Sequence, residues 1–159
     1  MTPIKMTAAV LITLAVAQGV GLGEALAQSC STGTKLSPSQ IRSIINGKYA
    51  CANLSTTQHW NEVHTGSGFA NSGQVLDYKQ GPGHPTDPSD TVAHPTGTYS
   101  VSQAGADIGQ VVYNYGAGGT YGYTVRANLG STPPSLGLYS FCTTGGGINI
   151  AVTMSAGHC

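Results

Sequence analysis

The sequence predicts an all-β fold: an antiparallel, up-and-down meander of about eight strands, closed into a barrel, with one short N-terminal capping helix. Three observations predict it. From Lys48 onward apolar residues recur with a period of two, in runs rich in Tyr, Val, Thr and Ile that Gly, Pro, Asn and Asp separate. Most connections between these runs have hairpin length, so strands adjacent in sequence pair as neighbours. Charged residues make up only 8% of the chain. So few charges cannot guard the two edges of an open sheet, whereas closure removes edges altogether, which favours a barrel over a sandwich.

The first segment is read as a secretory signal spanning 1–27, with Lys5 as its basic end, an apolar run from Ala8 to Ala17, and the small-residue site Ala25-Leu26-Ala27 before Gln28. Gln18, Gly19, Gly21, Gly23 and Glu24 interrupt the run before it reaches the roughly 20 apolar residues of a membrane span. The expectation is therefore an exported chain, periplasmic or secreted, with no transmembrane segment after cleavage. Ala27-Gln28-Ser29-Cys30 lacks the large aliphatic residue that a lipoprotein signal carries three positions before its cysteine. Residues 28–159 have the length of one domain with one core.

A helix is signalled next. Ser37 is placed to cap it, Pro38 suits its first position, Gln40 completes a capping box and Leu36 can staple onto Ile41. It is expected to end near Asn46-Gly47, and Ile41, Ile44 and Ile45 form an apolar stripe suited to the open end of a sheet or barrel. The expected strands are Lys48 to Asn53, Thr57 to His64, Gly73 to Lys79, Gly97 to Ser102, Gln110 to Tyr115, Thr120 to Ala127, Gly137 to Thr143 and Gly147 to Met154. The connection from Gly81 to Thr96 carries prolines at 82, 85, 88 and 95 and is too long for a tight hairpin.

All four cysteines, Cys30, Cys51, Cys142 and Cys159, follow the expected cleavage site, an even number that reads as two disulfides whose pairing the sequence leaves open. No Cys-x-x-Cys occurs, so zinc is not indicated. Without Lys5 and Glu24 the domain keeps five basic and five acidic residues, from six of each in the whole chain. Lys35, Arg42, Lys48, Lys79 and Arg126 are too scattered for the basic footprint that nucleic acid requires. A surface made polar by Ser, Thr, Asn, Gln and Gly instead of charge invites self-association.

The capped helix, then Gly47-Lys48-Tyr49, then a meander with a second Gly-x-aromatic at Gly97-Thr98-Tyr99, resembles the calycin-like, lipocalin-like barrels over most of residues 28–159. Trp60-Asn61-Glu62, Asp77-Tyr78-Lys79-Gln80-Gly81-Pro82, Gly97-Thr98-Tyr99-Ser100-Val101 and Tyr139-Ser140-Phe141-Cys142 are similar to a family of small, uncharacterised exported proteobacterial proteins. The resemblance implies architecture and no particular activity.

Candidate site residues come from two clusters. On a strand Trp60, Glu62 and His64 share one face, where a histidine and a carboxylate could form a hydrogen-bonded pair. Tyr113 and Tyr115 on one strand and Tyr121 and Tyr123 on the next place four phenols on one face, which suits an amphipathic ligand if it points into the barrel. His84, Asp87, Asp90 and His94 in the Pro-rich loop are weak candidates for a metal, and the reading is that no metal and no cofactor is bound. There is no Gly-x-Ser-x-Gly elbow, phosphate loop or dinucleotide fingerprint.

The functional expectation is an exported, non-enzymatic binding module for a small amphipathic molecule or a protein partner. The alternatives are a structural or self-associating cell-surface protein, and a small His-dependent hydrolase or lyase.

Overall fold

The computed structural model describes residues 30–53, 59–77, 93–128, 131–144 and 149–158. The expected signal segment, Cys159, and His84, Asp87 and Asp90 of the long loop lie outside the described residues. In chain order the elements are β1 (Thr34–Lys35), α1 (Pro38–Ile45), β2 (Tyr49–Asn53), β3 (His59–His64), β4 (Ser72–Asp77), β5 (Gly97–Gly105), β6 (Ile108–Asn114), β7 (Thr120–Ala127), β8 (Gly137–Thr143) and β9 (Asn149–Ser155). Strands β2 to β9 pair antiparallel with their sequence neighbours, and β9 returns to β2 through Tyr49 opposite Ser155. The meander is thus a closed eight-stranded barrel, and every predicted strand has its counterpart.

Two details differ from the expectation. The short β1 was not foreseen; it adds to the far end of β7, with Lys35 opposite Arg126. Two exposed residues carry no period that could reveal a strand. In addition, β5 and β6 run past the expected Ser102 and Gln110 to a two-residue turn at Ala106-Asp107, with Gly105 opposite Ile108. Ser102, Gln103 and Ala104 are exposed in this ribbon, so apolar alternation stops before the strand does. Asp107 turns the chain at φ 55°, a left-handed conformation that Asp tolerates better than most residues.

Helix α1 forms as its local signals require. The Ser37 side chain accepts from the Gln40 amide, and the Gln40 side chain accepts from the Ser37 amide at 2.9 Å. Leu36 and Ile41, the two ends of the staple, are both buried. The Leu36 amide donates to the Val125 carbonyl and its own carbonyl accepts from Gly109, so the residue before the helix is stitched between β7 and β6. Ile41, Ile44 and Ile45 then cover one end of the barrel, packing in one core with Val75, Val101, Val111, Val125, Tyr139 and Met154.

Gly109 permits this plug. A Cβ there would stand 2.7 Å from the Pro38 nitrogen and 2.8 Å from the Ser37 carbonyl carbon, both backbone atoms that cannot swing aside. Gly109→Ala is expected to lower the unfolding free energy by about 1–3 kcal/mol through overpacking, read as a shift of the urea midpoint. An unchanged midpoint would show that the helix is not seated on β6.

The outside of the barrel is covered on two flanks. Cys30 is bonded to Cys142, whose side of β8 is opposite the inward Phe141, so the N-terminal segment crosses the outer face of β8. Ser140 on that same face is buried and donates to Asn128 at 2.7 Å. Cys51 is also disulfide-bonded. Near it, His158 packs against the Tyr49 ring at 4.7 Å and meets the Asn61 amide at 3.5 Å, which brings the C-terminal segment back over β2 and β3. No helix among the described residues is long and apolar enough to cross a membrane.

Candidate functional site in the open half of the barrel

Because α1 fills one end, free interior space must lie towards the other. A cavity of about 50 Å³ is found there, inside the barrel. Its shape follows from side-chain size. Tyr113, Tyr115, Tyr123 and Phe141 supply rings from β6, the residue after it, β7 and β8, while Ala50 and Ala52 on β2 leave the space that these rings do not fill. Ile150 and Val152 of β9 close the remaining wall. The rings follow one another around the cavity, with centroids 6.1 Å apart for Tyr113 and Tyr115, 6.0 Å for Tyr113 and Tyr123, and 6.2 Å for Tyr123 and Phe141.

Glu62 brings a carboxyl to this space. Alternation along β3 turns Glu62 inward and Asn61 outward. The Tyr115 hydroxyl donates to the Glu62 carboxyl, at 3.0 Å from one oxygen and 3.2 Å from the other. Burial among apolar groups raises the Glu62 pKa to about 7; the Tyr115 hydrogen bond lowers it, and the nearby Asp77, its partner in the β3–β4 register, raises it further. Near neutrality this carboxyl is therefore poised between its two forms. Tyr113, Tyr115 and Tyr123 all have their phenol pKa raised, first by burial and then by the charge on Glu62, so they remain neutral donors.

Below the cavity, towards α1, the interior is filled by a second polar set. His64 is fully buried, with Nδ1 3.4 Å from the Lys48 carbonyl and Nε2 2.9 Å from the Tyr113 hydroxyl. A carbonyl only accepts, so Nδ1 carries the proton and Nε2 accepts from Tyr113. Burial depresses the His64 pKa to about 4, keeping the ring neutral. Tyr99 stands edge-on to His64 at 4.9 Å, donates to Asn46 at 2.7 Å and accepts from the Gly66 amide at 3.1 Å. His64 and Tyr99 thus link β3 and β5 to the end of the helix.

The residues singled out from the sequence divide accordingly. Glu62, Tyr113, Tyr115 and Tyr123 come together around the cavity. His64 lies beneath it, in contact with Tyr113. Tyr121 is 47% exposed at the rim, its hydroxyl donating to the Gly118 carbonyl and its ring 6.0 Å from that of Tyr115. Trp60 stands opposite Ala52 in the strand register, and its side chain lies outside the described part of the structure. Of the metal candidates, His94 is exposed, and among the described residues no group of three potential ligands converges on one point. Sequence reasoning missed Phe141, Ala50 and Ala52. The alanines could have been found as the small positions in an otherwise bulky inward face; Phe141 is masked by the apolar run of β8, which is buried on both sides.

A broader depression of about 510 Å³ lies on β4, β5 and β6, with Ser72, Gln74, Thr98, Ser100, Val112 and Asn114 among its lining residues. It presents hydroxyl and amide groups and no ionisable carboxyl or base among the described residues. The interior space, with its carboxyl and rings, is the candidate site. Compared with family models, curated proteins and solved structures, the chain matches none.

Proposed function

We propose that this chain is an exported, non-enzymatic binding module that holds a small amphipathic molecule in the open half of its barrel. The observation that carries this reading is the division of the interior: one end plugged by α1, the other left with a ring-lined space around the Glu62 carboxyl. An apolar cavity with a few convergent polar groups is the usual composition of a small-molecule site. A volume of about 50 Å³ accommodates only a few non-hydrogen atoms, so the ligand, or the part of it that enters, is small. The Cys30–Cys142 disulfide is compatible with folding in an oxidising compartment and supports the exported reading. The closed barrel with its capped helix is the architecture that a calycin-like relationship implies, and it supports that proposal too.

The hydrolase or lyase alternative draws less support. His64, the histidine it would use, is neutral, engaged at both ring nitrogens and separated from the cavity by Tyr113. The self-associating alternative rests on the scarcity of charge and on apolar exposure at Phe69, which is 81% exposed.

Native mass spectrometry of the protein purified from its export compartment tests the proposal. The expected result is an added small mass that disappears on denaturation and is absent from Ala52→Leu, which fills the cavity from the β2 side. A bare chain in both proteins overturns small-ligand storage, and multiples of the chain that persist on dilution favour self-association.

A further inference from the structure

The chemistry around Glu62 narrows the ligand class, an inference that rests on the small-ligand reading above. Among the described residues, the cavity lining contains a carboxyl but no basic side chain. The hydrogen bonds of the Glu62 carboxyl among the described residues come from the Tyr115 hydroxyl. A carboxylate so placed favours a cation or proton and repels an anion. The walls sharpen the choice among cations. Calcium and magnesium demand six or more oxygen ligands, whereas the described residues around this space offer one carboxyl and a few phenols among apolar groups. A weakly hydrated cation loses little by leaving water, and the negative faces of aromatic rings attract it at up to about 6 Å.

We propose that the cavity binds a small organic ammonium ion, with the Glu62 carboxylate as counter-ion and the rings of Tyr115, Tyr123 and Phe141 around its alkyl groups. Tyr115 is the positioning residue: its hydroxyl bridges both carboxyl oxygens and holds the charge against the ring wall. Ala50 and Ala52 leave the volume that the alkyl groups take. The remaining groups that face Glu62 do not compete for the ligand's charge. Asp77 on β4 adds negative potential, Tyr113 on β6 and Tyr123 on β7 stay neutral, and β2 presents only alanines. Binding is coupled to a proton: where Glu62 is protonated, the ammonium ion displaces that proton to solvent, and no other bond is made or broken.

Calorimetric titration of the mature, oxidised chain with tetramethylammonium, and with tert-butanol as a neutral molecule of equal heavy-atom count, tests this. With a carboxyl pKa of about 7, tetramethylammonium should bind roughly thirtyfold more weakly at about pH 5.5 than at about pH 8.5, following the ionised fraction. Tert-butanol should bind alike at both. Glu62→Gln should lose the pH dependence and at least tenfold in tetramethylammonium affinity at the higher pH. Tyr123→Leu should weaken tetramethylammonium several-fold while leaving tert-butanol unaffected; circular dichroism checks that both variants fold. Equal binding of the two probes, insensitive to Glu62→Gln, would leave the binding module standing and overturn the ammonium inference. Binding of neither probe at tens of millimolar would overturn the inference and count against the cavity itself.

Discussion

Removing the Cys30–Cys142 bridge, by the double change Cys30→Ala and Cys142→Ala, should lower the unfolding free energy by about 4 kcal/mol. The two cysteines are 112 residues apart in sequence, so the bridge takes a large closure entropy from the unfolded chain. A loop of about that length accounts for roughly 4.7 kcal/mol in chain-entropy terms. The bond at Cys51 already restricts the unfolded ensemble, which makes the lower figure the expected one. Changing both cysteines together avoids an unpaired thiol that could exchange with the remaining bridge. Urea unfolding under non-reducing conditions measures the change. A midpoint that does not move would mean that the N-terminal segment detaches from β8 without weakening the barrel.

The second large effect is a gain. Glu62→Gln should stabilise the protein by about 3 kcal/mol at pH 8 and leave it unchanged at pH 4. Glu62 has a folded-state pKa of about 7 against 4.5 when unperturbed. Its contribution to stability is fully present below pH 4.5, where the carboxyl is protonated in both states. As pH rises through 7 the native state must lose a proton that it holds more tightly than the unfolded state does, and that contribution is lost. The difference of about 2.5 pKa units corresponds to about 3 kcal/mol. His64 acts in the opposite sense: with its pKa depressed from 6.5 to about 4, its contribution is present above 6.5 and lost as pH falls through 4.

The two slopes oppose each other between about pH 4.5 and 6.5, each close to 1.4 kcal/mol per pH unit. In the wild type their contributions cancel there. Glu62→Gln exposes the His64 slope, so stability should rise with pH across that window. Denaturant unfolding at a series of pH values measures it, and a variant with the same profile as wild type would place the Glu62 carboxyl in solvent. A carboxyl that costs the fold stability at neutral pH is a reason to look for a ligand that relieves it.

Several features of this site were legible from β3 and β6 as letters. Glu62 and His64 alternate on one face, Tyr113 and Tyr115 do the same, and the structure turns both pairs inward. Their different fates were not legible. Glu62 lines the cavity, whereas His64, two residues further along β3, lies under Tyr113. Tyr121 is separated from Tyr123 by one residue, yet it stands at the rim because the chain bends at Gly118 and Gly119, whose carbonyl and backbone it meets.

The sequence by itself determined what depends on near neighbours. The capping box at Ser37 and Gln40, the staple of Leu36 on Ile41, and the period-two runs between glycine turns specify α1 and the eight barrel strands, because each is decided within a few residues. Tertiary structure alone decided what depends on closure. The pairing of Cys30 with Cys142, the meeting of β9 with β2, and the addition of β1 to β7 join residues far apart in sequence, for which no local signal exists. The cavity belongs to the same class. It exists because Ala50 and Ala52 face Phe141 and Tyr123 across a barrel that had first to close, and because α1 fills one end and leaves the other open.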